Sequence, residues 1–187
     1  MAPKGLMSAI IWMDMEMSGL NPETDRILEI AVLVTDGDLK VVAEGPNLVL
    51  RQSDEVLDAM DEWNTRHHAQ SGLTKRVRES TIDESQASQA LLGFLSLHTE
   101  KNKAPLAGNS IHQDRRFVAR YLPDVEDWFH YRNIDVSTIK ELARRWYPKE
   151  YAARPTKKGS HRAMDDLMES IEELNYYRAS LFLPTVS

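Results

Sequence analysis

The chain has 187 residues, 42% of them hydrophobic and 28% charged, with a formal charge of −6, an ordinary balance for a soluble globular protein and enough length for one sizeable core. It has no cysteine, which rules out a disulfide framework, a thiolate metal site and a thiol nucleophile. The acidic balance argues against a grip on long nucleic acid through many phosphate contacts. The apolar stretch from Leu6 to Met13 is too short to span a bilayer. Only Lys4 supplies positive charge before it and no small-residue cleavage pattern follows, so it does not read as a signal peptide, and the expected setting is cytoplasmic.

Ile10, Ile11, Trp12 and Met13 are apolar at both parities, which predicts a central strand covered on both faces. Asp14 and Glu16 continue it, two residues apart and so on one side. Two such carboxylates repel each other unless positive charge lies between them. Magnesium and manganese favour hard oxygen ligands, and phosphodiester hydrolases commonly hold two such ions about 3.5 to 4 Å apart. Taken alone, the pair also fits a strand end fraying into a polar loop. Ser18, Gly19, Asn21 and Pro22 mark a loop, and Ile27 to Thr35 a buried strand. Asp36 and Gly37 signal a hairpin turn; Leu39 to Ala43 and Leu48 to Leu50 return, completing an antiparallel meander.

Thr81 and Glu84 form a capping-box pattern for a helix with the stripe Ala87, Ala90, Leu91, Phe94 and Leu95. Ala104 to Ala107 reads as a short strand ended by Gly108. Ser110 and Gln113 offer a second capping-box pattern, for a helix reaching Tyr121 or Leu122 and stopped by Pro123. On it Asp114 shares a face with Phe117, Val118 and Tyr121 and turns inward, where an acid needs a partner such as a cation, unless it only complements the helix dipole. Arg132 to Val136 predicts a strand, and Ser137 caps a helix with the stripe Ile139, Leu142, Ala143 and Trp146.

The last helix begins near Arg162, with the stripe Ala163, Leu167, Ile171 and Leu174. At about 100° per residue Asp165 falls opposite the stripe, beside Glu169 and Glu172, whereas Asp166 lies at its edge near Ser170. Asp166 is therefore the expected ligand. His161 follows Gly159 and Ser160 on a polar stretch that also carries Arg154, Lys157, Lys158 and Arg162. That stretch reads equally as a solvated loop. With no repeat or linker in the chain, a meander followed by alternating helices and strands implies a mixed sheet flanked by helices on both faces.

The segments Asp14-Met15-Glu16-Met17-Ser18-Gly19-Leu20, Gly108-Asn109-Ser110-Ile111-His112-Gln113-Asp114 and His161-Arg162-Ala163-Met164-Asp165-Asp166 resemble, in order, the three motifs of the DEDDh 3′-to-5′ exonucleases. With the stretch from Asp61 to Leu73, the resemblance covers essentially the whole chain. It implies a ribonuclease H-like α/β fold and one exonuclease domain over residues 1–187. It also implies that Asp14, Glu16, Asp114 and Asp166 bind two divalent cations, Mg2+ or Mn2+, and that His161 is the general base for the attacking water. By the same resemblance Leu20 wedges between bases, Trp63 contacts a base, and His68, Ser110 and Gln113 meet the sugar or phosphate near the 3′ end. Tyr131 and Arg132 look like a pair that caps the 5′ phosphate from a partner subunit, implying a homodimer. A pocket closed at both ends suits very short single-stranded RNA, dinucleotides included, cut to 5′-mononucleotides. Related nucleases use the same chemistry on DNA or RNA tails, and Leu20, Trp63, Tyr131 and Arg132 discriminate between the two. A module that binds RNA ends without cutting would have lost one of the five catalytic positions; all five are present.

Overall fold

A computed structural model of the chain describes residues 9–156 and 163–183. The three apolar runs of the first half become β1 (Ile10–Met17), β2 (Ile27–Thr35) and β3 (Val41–Val49), joined as an antiparallel meander. β2 has the bounds that its long apolar run predicts, with Glu29 the one acid inside it. β3 is one strand rather than two pieces, with register shifts where Gly45 and Pro46 interrupt the pattern. β4 (Pro105–Gly108) and β5 (His130–Asp135) add in parallel, giving the order β3-β2-β1-β4-β5. This mixed sheet with β1 at its centre is the arrangement expected from the sequence.

Between β3 and β4 run α1 (Asp54–Asp58), α2 (Glu62–Gln70), α3 (Leu73–Glu79) and α4 (Glu84–His98). Then come α5 (Ile111–Tyr121), α6 (Pro123–Glu126), α7 (Val136–Trp146), α8 (Pro148–Ala152) and α9 (Ala163–Leu181). Alternation along β1 divides the core. Ile11, Met13 and Met15 meet Leu91 and Leu95 of α4 and Phe117 and Val118 of α5, while Ile10 and Trp12 meet Val136 of α7 and Ala163, Leu167 and Ile171 of α9. A third cluster seats α1 and α3 on the start of β2 through Leu28, Leu57, Leu73 and Val77.

The caps differ from expectation. At α4 the capping box is Asp83 with Gln86, not Thr81 with Glu84: the Asp83 carboxylate accepts from the Gln86 N–H at 2.8 Å. A carboxylate with a short side chain takes the cap as effectively as a hydroxyl. Ser110 and Gln113 make no capping box; Ser110 stands in the left-handed region at φ 54° with its hydroxyl on Ser137. Ser137 lies inside α7, whose cap is Asp135, accepting the Ser137 N–H at 2.9 Å. The α7 stripe is only partly inward: Ala143 is buried and Trp146 is 65% exposed. Ala90 of the α4 stripe is likewise exposed.

Candidate active site

Asp14 and Glu16 leave β1 on the face of Ile10 and Trp12, which α9 covers. Seated by Ala163, Leu167 and Ile171, α9 brings Asp166 to the same place. One ligand oxygen from each of Asp14, Glu16 and Asp166 lies within 4.8 Å of the other two. Asp165 is exposed, as helical phase predicts.

Asp114 arrives from the other face of the sheet, on α5. Its Oδ1 accepts the Met15 N–H at 3.0 Å. Pairing between β1 and β4 ends at Trp12, so this carboxylate satisfies a backbone donor that has run out of strand. Gly108 lets the end of β4 lie close to β1, since a Cβ there would stand 2.8 Å from the Met13 carbonyl oxygen. Asp114 is thus a buried neighbour of the group, not one of the three oxygens gathered within 4.8 Å.

Burial is the main cause that pushes the Glu16 carboxyl up to about 7; the charges of Asp166, Glu29 and Asp114 add to it, and Arg76 opposes. Burial also pushes Asp114 up to about 7, against hydrogen bonds from its own N–H and that of Met15. Three carboxylates gathered within 4.8 Å, with the buried Asp114 beside them, are deficient in positive charge, and a hard divalent cation supplies it. The all-oxygen donor set fits a hard divalent cation.

Glu29 was not picked out from the sequence. It is fully buried opposite Glu16 in the β1–β2 register and receives the Arg76 guanidinium at 2.9 and 3.1 Å. An acid inside the run Ile27–Thr35 was the available signal. His68, expected at the substrate, is 1% exposed. Its Nε2–H donates to the Met17 carbonyl at 2.9 Å and its Nδ1 lies 4.0 Å from Glu16 Oε2. Burial holds its pKa below the usual value.

The other expected substrate residues lie outside this group. Leu20 is 67% exposed on the loop after β1. The loop turns tightly because Asp25 accepts the Asn21 N–H at 2.8 Å, and a Cβ on Gly19 would stand 2.4 Å from the Asp25 carboxylate. Trp63 is 58% exposed, its ring stacked on His67 at 4.5 Å. Ser110 is exposed at the start of α5, and the Gln113 side-chain oxygen accepts from Arg116 at 2.8 Å. Tyr131, 74% exposed, and Arg132, 5.1 Å above its ring, stand on the edge strand β5, separated from β1 by β4. His161, Lys157, Lys158 and Arg162 lie outside the described residues.

The fold and its convergent carboxylates define a metal-dependent exonuclease, and the exonuclease family model matches residues 11–174. Among characterised proteins, the chain is 56% identical over 169 residues to an oligoribonuclease of Neisseria meningitidis, covering 90% of each. It is 51% identical over 181 residues to the human mitochondrial oligoribonuclease, covering 97% of this chain and 76% of the relative. The chain belongs to the oligoribonuclease family. Of solved structures, Escherichia coli exonuclease I with a dA16 oligonucleotide is similar in fold, with a TM-score of 0.70 at 16% identity over 93% of this chain. Exonuclease I of Methylocaldum szegediense gives 0.67 at 18% over 92%. The chain spans about two fifths of those structures, 41% in each case.

Proposed function

We propose that the protein is one exonuclease domain that degrades very short single-stranded RNA, dinucleotides included, from the 3′ end to 5′-mononucleotides. The observation that carries this reading is the convergence of Asp14, Glu16 and Asp166 within 4.8 Å, in a chain of the oligoribonuclease family. These three residues and Asp114 would hold two divalent cations, Mg2+ or Mn2+. When bound, such ions neutralise charge on the phosphate and acidify the attacking water.

The chain's own groups do the rest. His161 takes the proton from water as it attacks phosphorus in line. The bond from phosphorus to the 3′ oxygen breaks, that oxygen takes a proton from solvent water, His161 gives its proton back to solvent, and the released nucleotide keeps its 5′ phosphate. No covalent enzyme intermediate is needed. Leu20 and Trp63, exposed on a tight loop and on a stacked indole, suit sequence-tolerant base contact. Ser110 and Gln113 would meet the sugar and phosphate near the 3′ end, and His68, 1% exposed, would join them only once its Nε2 leaves the Met17 carbonyl. In a homodimer the partner would supply Tyr131 and Arg132 to the 5′ phosphate, a use that their position on an exposed edge strand supports. No helix among the described residues is long and apolar enough to cross a membrane, in keeping with the cytoplasmic setting proposed.

The test is incubation with 5′-labelled RNAs and DNAs of graded length, with Mg2+, Mn2+ or chelator. Stepwise shortening from the 3′ end, fastest on the shortest RNA and stopped by chelator, is expected. Internal cuts, or full activity in chelator, would overturn the reading.

A further inference from the structure

The reach of Asp166 toward Asp14 and Glu16 depends on where α9 sits relative to the ends of β1 and β4. Apolar packing under Ala163, Leu167 and Ile171 sets the height of the helix over the sheet, but apolar contact alone is non-directional. A directional tie is present one turn after Asp166. Ser170 is 1% exposed, and its hydroxyl donates to the Asp166 backbone carbonyl at 2.8 Å. The same hydroxyl accepts from Asn109 Nδ2 at 2.7 Å. Asn109 follows Gly108, so this bond joins the α9 turn of Asp166 to the end of β4. The other half of the Asn109 amide is also engaged: its Oδ1 accepts from Ser137 Oγ at 3.1 Å, and Ser137 Oγ in turn accepts from Ser110 Oγ at 3.1 Å. Asp135 Oδ1 receives the backbone N–H of both Ser110 and Ser137, at 3.0 and 2.9 Å. This network holds Ser110 in a left-handed conformation, which costs a non-glycine residue on the order of 1 kcal/mol or more unless its surroundings enforce it.

We propose that Ser170 and Asn109 are positioning residues for the metal site: together they lock the Asp166 turn of α9 to the β4–α5 junction and so set the distance from Asp166 to Asp14 and Glu16. The inference rests on the reading of these carboxylates as cation ligands. Each partner orients a ligand-bearing segment without itself touching a cation. Losing outer partners of this kind typically weakens metal affinity about 10- to 100-fold.

The experiment measures Mn2+ binding by electron paramagnetic resonance in RNA-free protein for wild type, Asn109→Ala, Ser170→Ala and the double variant, with the melting temperature of each. Expected are a dissociation constant raised at least about tenfold in either single variant and a double variant no worse than the weaker single, because both remove one tie. Loss of hydrolysis in these variants should be recovered by raising Mn2+, with little change in the KM for RNA. Unchanged Mn2+ affinity in folded single variants, or independent additive losses in the double, would overturn the proposal. If Asn109→Ala does not fold, Ser170→Ala alone decides, since alanine in a helix interior is the best-tolerated residue. Wild-type protein that binds no Mn2+ would instead overturn the site reading, and this inference with it.

Discussion

At the acidic end of the site, Asp114, Glu29 and His68 are buried, and Asp14, Glu16 and Asp166 half-buried, on strands and helices tied by hydrogen bonds to the backbone or to Arg76. At the proposed substrate end, Leu20 and Trp63, and Tyr131 as offered to a partner's site, stand on a loop, a short helix and an edge strand, each more than half exposed. The two ends face different physical demands. Like charges must be crowded before a cation can join them, which requires rigid walls and few waters. Bases are held by flat apolar surface that has to remain open until substrate covers it. Substitutions at the first end should act on turnover and pH response, and those at the second on affinity and length preference.

The sharpest way to break this division is Asp114→Ala. Turnover should fall about 10²- to 10³-fold, the scale of losing a group that acts on transition-state charge, with circular dichroism unchanged. Retained hydrolysis in excess Mg2+ would remove Asp114 from the site. A second measurement uses pH. Glu16 and Asp114 bind protons in the folded state up to about 7, against ordinary values of 4.5 and 3.8. Over that window the native state holds protons that the unfolded chain has released, so these groups favour folding at low pH and that contribution is lost as pH rises through 7. The cost is on the order of a few kcal/mol, at about 1.4 kcal/mol per pKa unit. Mn2+ binds the deprotonated form. The gap between melting temperatures in Mn2+ and in chelator should therefore widen from pH 5 to pH 8, and a gap independent of pH would contradict it.

At the open end, Trp63→Ala should raise the KM for a dinucleotide about 5- to 150-fold, the equivalent of roughly 1 to 3 kcal/mol of base stacking, with kcat little altered. A kcat loss as large as at Asp114 would erase the distinction between the ends. The smallest effect is expected of Tyr131→Ala, a fewfold loss of preference for dinucleotides over longer RNA. Equal preference in variant and wild type would remove the capped-pocket argument.

Much of the acidic end was legible in the sequence, because strand parity put Asp14 and Glu16 on one side and helical phase chose Asp166 over Asp165. Both are local rules, and the antiparallel meander and the mixed sheet followed from the same periodicities. The burial of His68 was not legible: it depends on α2 packing on α3, which docks against β2, and nothing polar in a short helix announces its own depth. The Glu29–Arg76 pair joins residues 47 apart, and an acid in an apolar run shows that a partner exists without naming it. Ser110 and Ser137 read as caps because serine commonly caps helices; the structure gives the α7 cap to Asp135, whose single carboxylate serves two backbone donors. The exposure of Trp146 on α7 likewise depends on what packs against the helix, which periodicity does not reveal.

One connection bears on how the two ends stay in step. Tyr121, in the last turn of α5, accepts from the Arg26 guanidinium at 2.6 Å, and its hydroxyl lies 2.7 Å from the carbonyl oxygens of both Pro22 and Asp25, in the loop that presents Leu20. Asp114 is in the first turn of the same helix, seven residues earlier, a rise of roughly 10 Å. The helix is therefore a ruler whose two ends are pinned to the loop that carries Leu20 and to the buried Asp114. Adding or deleting one residue between positions 114 and 121 would turn one end by about 100° against the other, uncoupling them while leaving every side chain at both ends intact.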